Sequence, residues 1–245
     1  MKPTYFISDL HLAADLPRIT QGFSQLLQQL HGKATALYVL GDLFEVWVGD
    51  DNLSDYNQQI INNFKELSNS GVALYFVHGN RDFMLGEAFA SACGGQLLAE
   101  RTVIKVAQQP LLVEHGDALC TLDEKFMAFR AQSRHPLWQQ GMLAKPLAER
   151  VQIAELWRLQ SKMQNSNKAE NIMDVTPQAV LETLQQYQVS TLLHGHTHRP
   201  MIHGITLHNG ATGQRIVLGD WQEENGSAVI GIADEQGIRL ETYLF

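Results

Sequence analysis

The chain has 245 residues, 44% hydrophobic and 18% charged, with a formal net charge of −8. That length buries a sizeable core in one domain, or in one domain with an insertion, and the composition excludes disordered and fibrous classes. The acidic balance argues against a nucleic-acid partner, which requires a basic face, and no run approaches the roughly 18 apolar residues of a membrane span.

Met1 to Ser8 lacks the apolar stretch and the small-residue cleavage site of a signal peptide, so a cytosolic protein is expected. Thr4-Tyr5-Phe6-Ile7 reads as a short strand that runs into Ser8-Asp9-Leu10-His11. Residues 17–30 then place Ile19, Phe23, Leu26, Leu27 and Leu30 at helical spacing, stopped by Gly32. Ala36 to Leu40 is a second buried-type strand, ending at Gly41-Asp42. A helix carrying Tyr56, Ile60, Ile61, Phe64 and Leu67 follows, and a third strand, Val72 to Val77, ends at His78-Gly79-Asn80-Arg81-Asp82. The order is β-α-β-α-β with a polar cluster after each strand, the pattern of an α/β sheet whose site lies beyond the carboxyl ends of its strands.

Two further strands, Thr102–Val106 and Leu111–Val113, read as a hairpin turning through Gln108-Gln109-Pro110, with Glu114-His115-Gly116-Asp117 at its end. Helix resumes near Asp123, again over roughly 145–165, and again at Thr176-Pro177, an N-cap followed by proline at the first helical position. Val189 to Leu193 is another apolar strand, ending at His194-Gly195-His196-Thr197-His198. The tail beyond Met201 alternates turns with short strands (Ile216–Leu218, Ala228–Ile232, Ile238–Tyr243) and reads as an antiparallel meander completing a second sheet. Cys93 and Cys120 are too few for a disulfide framework and belong to no CxxC pair, so reduced buried thiols are expected.

One stretch departs from the acidic average. Lys125 to Lys168 carries eight Lys or Arg against two acids, Glu149 and Glu155, together with Phe126, Met127, Phe129, Trp138, Met142, Leu143, Trp157 and Met163. An ordinary amphipathic helical pair would pack such a stripe on its own domain. A basic, Trp- and Met-rich helical cap also suits an anionic, partly apolar ligand or an anionic membrane surface.

The strand-end residues collect into Asp9-x-His11, Gly41-Asp42, Gly79-Asn80, His115 and Gly195-His196-x-His198. Each fragment alone is weak. Together they offer carboxylates, an amide and imidazoles without thiolate, a donor set for Mn²⁺, Fe²⁺ or Zn²⁺. Seven ligands exceed what one ion takes; with one carboxylate shared they make two sites about 3.5–4 Å apart. Asp82 and Asp117 suit orientation of the ligand loops or simple turn capping, and the other six histidines (31, 78, 135, 194, 203 and 208) suit structural or surface roles.

This ordered set resembles the calcineurin-like metallophosphoesterase family and spans nearly the whole chain. The resemblance implies a four-layer α/β/β/α sandwich over residues 1–245, with a helical insertion, a lid, at 122–168. It also implies a first ion on Asp9, His11 and His198, a second on Asn80, His115 and His196, and Asp42 bridging them. Many members of the family read Gly-Asn-His after the third strand, the histidine helping to protonate the leaving group; here that position is Arg81. A phosphate leaving a diphosphate needs no such proton, since its second pKa is only about 6. It needs charge neutralisation, which an arginine fork supplies.

Arg81, the stretches Phe6 to Leu12, Gly41 to Glu45 and Val217 to Trp221, and the basic insertion narrow the resemblance. They point to the members that hydrolyse UDP-2,3-diacylglucosamine to UMP and 2,3-diacylglucosamine 1-phosphate in lipid A biosynthesis. That implies two Mn²⁺ per chain, peripheral attachment to the cytoplasmic face of the inner membrane, and no protein partner. By the same resemblance Asn80, Arg81 and His196 are the catalytic groups beside the metals, and Asn80, Arg81, Asp123, Ser161, Asn165, Lys168 and His196 contact substrate. A general phosphoesterase acting on soluble nucleotides or phosphodiesters is the competing expectation.

Overall fold

Apolar runs flanked by turn residues become strands buried on both faces. In the computed structural model, which describes residues 2–165 and 174–245 but not the side chains of 161–165, these runs are Thr4–Ile7 (β1), Ala36–Leu40 (β2) and Ala73–Val77 (β3). They pair in parallel, β1 with β2 and β2 with β3. The crossovers are the expected helices Pro17–Leu30 (α1) and Asp55–Asn69 (α2). In α1 the apolar residues at helical spacing are all buried; α2 is capped by Ser54, whose hydroxyl accepts the Asn57 N–H. A short helix, Glu87–Ala92 (α3), and a two-residue strand, Gln96–Leu97 (β4), complete that edge of the sheet.

The second sheet begins with Thr102–Val106 (β5) and Gln109–Val113 (β6). Their turn is not where the proline suggested. Ala107 and Gln108 form a two-residue turn with φ of 50° and 66°, the backbone that matches strand twist, and Pro110 sits inside β6 opposite Lys105. Proline is tolerated there because β6 pairs with its other neighbour only through Leu112 and Val113, so no ladder bond is lost. The inserted helices follow: Glu124–Ser133 (α4), Pro136–Leu143 (α5) and Leu147–Asn165 (α6). Then come Pro177–Tyr187 (α7), Thr191–His194 (β7), Met201–Thr206 (β8), Thr212–Val217 (β9), Trp221–Gln222 (β10), Ser227–Asp234 (β11) and Gly237–Leu244 (β12).

The tail corrects the expectation of one meander. Only β8 and β9 join the second sheet, whose order is β5-β6-β7-β9-β8; β10, β11 and β12 join the first, with β11 antiparallel to β1. The chain crosses between sheets at Leu218 to Trp221. Leu218 N–H still donates to His194 O, while Trp221 N–H donates to Asp9 O.

Four layers result. Side chains of α1, α2 and α3 pack on one face of the first sheet; Phe6, Leu40, Val77, Leu111, Val113, Leu193 and Ile216 fill the space between the sheets; Val180 and Leu184 of α7 cover the far face. The outer helical layer is the more aromatic. Phe64 is fully buried, its ring 5.1 Å from both Phe23 and Phe76. Phe64→Ala should therefore cost about 3–5 kcal/mol, read as a lowered urea midpoint at unchanged slope. Among the described residues no helix is long and apolar enough to cross a membrane.

The inserted helices have their own small core, Phe83, Met84 and Met142, against which Phe129, Trp138, Ile153 and Trp157 pack. The tryptophans are thus part of a cluster with the loop after β3. The exposed bulk of the insertion is aliphatic instead: Leu137, Leu143, Leu156 and Leu159. Polar anchors tie it down. Arg150, 3% exposed, donates to Val48 O and pairs with Asp51, and Asp117 receives Arg130 at 2.8 Å and Arg134 at 3.4 Å.

Candidate metal centre and the cleft beside it

The site is made by loops at the carboxyl ends of β1, β2, β3, β6 and β7, where side chains can leave the sheet plane and converge. Convergence demands unusual backbone. Among the described residues eight that are not glycine have positive φ, and five of them are Asp9, His11, Asp42, His196 and His198. Such conformations cost of order 1–3 kcal/mol each and persist where surrounding contacts enforce them. Here Asp9 N–H donates to Gly41 O and His11 N–H to Asp42 O, locking two loops together. The buried Asp82 carboxylate accepts from Gly79 N and Leu43 N, each at 2.7 Å, and so ties the β2 and β3 loops. Glycine is needed for the approach: a Cβ on Gly195 would lie 2.1 Å from Ser8 Oγ and 2.3 Å from Asp9 Oδ2.

Asp9, His11 and His198 bring one ligand atom each within 4.8 Å of one another, and so do Asp9, Asp42 and His115. His11 Nε2 and His115 Nε2 approach Asp42 from two sides, at 3.8 Å and 3.6 Å. His198 Nε2 is 3.4 Å from Asp9 Oδ1, and Asn80 Oδ1 is 3.0 Å from His115 Nε2. His196 stands beside His115, ring centres 5.0 Å apart, and its N–H donates to Asp9 Oδ2. All seven expected ligands are therefore in one place. Asp9 Oδ1 and His11 Nε2 are buried without a hydrogen-bond partner, an arrangement a divalent cation would satisfy. Outer contacts orient the rings as metal-ligating imidazoles require: His115 Nδ1 lies 2.8 Å from Leu40 O, His11 Nδ1 2.8 Å from Glu45, and His198 Nδ1 3.5 Å from Asp220.

The electrostatics of the cluster are strongly perturbed, and not all in one direction. Burial opposes the charge of Asp9, but contact with His198 and the positive field of His115, His198 and His11 hold its carboxyl well below the usual range. Burial pushes the Asp42 carboxyl up, against the pull of His115 and His11. Burial and His115 drive His196 down to about 3, the neutral form that binds metal. His198 rises to about 10 despite burial, because Asp220 and Asp9 demand a cation beside them. Burial works against Glu45 too, yet His11, Arg81 and Arg158 lower it to about 2, leaving it an anion.

A cavity of about 520 Å³ opens from these residues toward the inserted helices. Asn80, Arg81, Asp123 and His196 line it. Asp123 also caps α4 by accepting the Phe126 N–H. Lys168 lies outside the described residues, as do the side chains of Ser161 and Asn165. Trp47, Phe83, Met84, Phe129, Met142 and Trp157 line the same cavity, together with the basic side chains of Lys125, Arg150 and Arg158. The insertion also reaches the ligand loops: Arg134 donates to Gly79 O at 2.8 Å, and Arg158 pairs with Glu45 at 2.6 Å. Glu45 and Asp220 were present in the motifs Gly41 to Glu45 and Val217 to Trp221, but only the folded loops show which ring each faces.

A family model, calcineurin-like phosphoesterase, matches residues 2–200. A protein of Chromohalobacter salexigens named UDP-2,3-diacylglucosamine hydrolase is 47% identical over 99% of this chain and 98% of its own length. Proteins of the same name from Cellvibrio japonicus and Aeromonas hydrophila are 48% and 47% identical. The first covers 90% of this chain and 92% of its own, the second 98% of each. With the strand-end constellation in place and the match spanning most of its length, this chain belongs to the calcineurin-like phosphoesterase family.

Proposed function

We propose that this chain hydrolyses the diphosphate bond of UDP-2,3-diacylglucosamine, releasing UMP and 2,3-diacylglucosamine 1-phosphate. The observation that carries this reading is one continuous cavity with two chemistries. Its lining joins members of the buried cluster of carboxylates and imidazoles beside Arg81 to a set of apolar side chains, Trp47, Phe83, Met84, Phe129, Met142 and Trp157. A diphosphate suits the first part and acyl chains the second. The names of relatives 44–48% identical over nearly the full chain support the same substrate.

Asp9, His11 and His198 would hold one Mn²⁺, Asn80, His115 and His196 a second, with Asp42 shared. When bound, the pair supplies Lewis acidity that makes water nucleophilic at neutral pH and offsets phosphoryl charge. The chain's own groups do the rest. Asn80 and His196 face the phosphoryl oxygens, and the Arg81 guanidinium neutralises charge that grows on the departing phosphate. Arg81→Ala should lower kcat/KM by about 10- to 100-fold, the worth of one charge-assisted hydrogen bond, at unchanged thermal midpoint. Helices α4 to α6 serve as the lid, and their exposed leucines beside lysines and arginines suit peripheral attachment to an anionic membrane face.

The test assays the diacylated UDP-sugar beside a simple soluble phosphodiester, with Mn²⁺ and after chelation. The proposal expects turnover of the first substrate only, lost with chelator and restored by Mn²⁺. Equal turnover of both would assign the chain to general phosphoester hydrolysis instead.

A further inference from the structure

Glu45 stands between a candidate metal ligand and the inserted helices. Its Oε2 lies 2.8 Å from His11 Nδ1, and its Oε1 lies 2.6 Å from Arg158 Nη2 on α6. Both His11 ring nitrogens are buried without a hydrogen bond of full geometry; Nδ1 is nonetheless in ion-pair contact with Glu45, while the opposite nitrogen, Nε2, faces Asp42 Oδ2 at 3.8 Å. The imidazole therefore has one end toward the candidate ion and the other on a carboxylate. That carboxylate is in turn gripped by the insertion.

We propose that Glu45 is a positioning residue for His11, and that Arg158, acting through Glu45, couples the seating of α6 to occupancy of the ion site that His11 serves. A carboxylate on Nδ1 fixes the ring as its Nδ1–H tautomer, leaving the Nε2 lone pair for a metal. Glu45 alone has rotamer freedom; a guanidinium on its far oxygen holds it in the one arrangement that reaches His11. Coupling between two binding events is reciprocal, so a filled ion site must in turn favour α6 docked with Arg158 on Glu45. The insertion has a second anchor, Arg150 on Val48 O and Asp51, in which no candidate metal ligand takes part. Arg150 therefore separates a loosened helix from a broken relay.

The inference rests on His11 being a metal ligand, and the experiment tells the two apart by reading Mn²⁺ binding directly. The full chain, stripped of metal, is titrated with Mn²⁺ and followed by electron paramagnetic resonance, with amide hydrogen exchange of α6 measured at both ends of the titration. Glu45→Ala is expected to weaken one site by about 10- to 100-fold. Arg158→Ala should weaken the same site by about 5-fold, with Arg158→Lys recovering part of the loss. The double variant should bind no more weakly than Glu45→Ala, because Arg158 works through that carboxylate. Arg150→Ala should leave Mn²⁺ affinity as in the parent chain. Mn²⁺ should slow exchange in α6 of the parent and not in Arg158→Ala. Parent-like Mn²⁺ affinity in Arg158→Ala, or in Glu45→Ala, overturns the relay while leaving the metal centre standing. A parent chain that binds no Mn²⁺ overturns both.

Discussion

Asp42→Ala should reduce hydrolysis of UDP-2,3-diacylglucosamine by more than about 10³-fold without unfolding the chain. Asp42 is 2% exposed, and its two oxygens face different imidazoles: Oδ2 toward His11 Nε2 at 3.8 Å, Oδ1 toward His115 Nε2 at 3.6 Å. In the proposed assignment it is the carboxylate shared by the two ions, and it faces one imidazole of each set; Asp9, by position, also lies in both clusters. Removing it takes a ligand from each and leaves buried imidazoles to repel one another. Metal stabilisation of phosphoryl charge is worth several kcal/mol, and each 1.4 kcal/mol or so is tenfold in rate, so a loss of three or more decades follows. Asp42 also accepts the Arg81 N–H at 2.8 Å, so the variant frees the loop that carries Asn80 and Arg81. The fold should survive, because the Asp42 side chain bonds only within the ligand loops and the cores lie on either side of the sheets. His115→Ala should behave alike for the second ion. Turnover within tenfold of the parent, in a variant with native circular dichroism, would sink the two-ion reading.

The first half of the fold was legible because its rules are local. Apolar strands alternate with amphipathic helices, and the residues after each strand must lie at one edge of a parallel sheet, so Asp9, Asp42 and Asn80 were placed together by topology before any distance was known. Where long-range pairing decides, the sequence spoke less clearly. Ala107-Gln108 carries none of the Asn-Gly chemistry that marks a two-residue hairpin, while the neighbouring Pro110 imitates a turn. The tail strands have the right composition for either sheet. Their division depends on β11 finding the free edge of β1, a pairing across more than two hundred residues. The insertion was legible by charge but not by packing. Its helix α4 has no clean apolar stripe, since Phe129 and its neighbours meet a cluster brought by α5, α6 and the loop after β3. The contacts made by Glu45, Arg134 and Arg158 follow from that docking and have no spacing to announce them.

Gly79→Ala should abolish most activity through a single methyl group that touches no substrate. A Cβ at that position would lie 2.1 Å from Asp42 Oδ1 and 2.2 Å from Asp42 N, far inside van der Waals contact. Neither atom can yield freely. Asp42 Oδ1 holds Arg81 N, Asp42 O accepts from His11 N, and behind them Gly41 is packed so closely that its own Cβ would meet Gly79 Cα at 2.6 Å. Gly79 cannot back away without cost either, because its N–H is bound to Asp82 and its carbonyl to Arg134 of the insertion. The strain must therefore appear as a shift of the loop, and the next residue along it is Asn80. Overpacking of this kind typically costs about 1–3 kcal/mol of stability, while misplacing a reacting group by about 1 Å costs on the order of 10²-fold in rate. The expected result is a kcat/KM at least about 100-fold below the parent, weaker Mn²⁺ binding by electron paramagnetic resonance, and a modestly lowered thermal midpoint. Gly141→Ala in α5 is the control: a Cβ there meets nothing within 4 Å, and removing glycine from a helix should leave stability unchanged or raised by up to about 1 kcal/mol. If Gly79→Ala matched that control in activity and metal binding, the close approach of the β2 and β3 loops would not be what holds Asp42 and Asn80 in register.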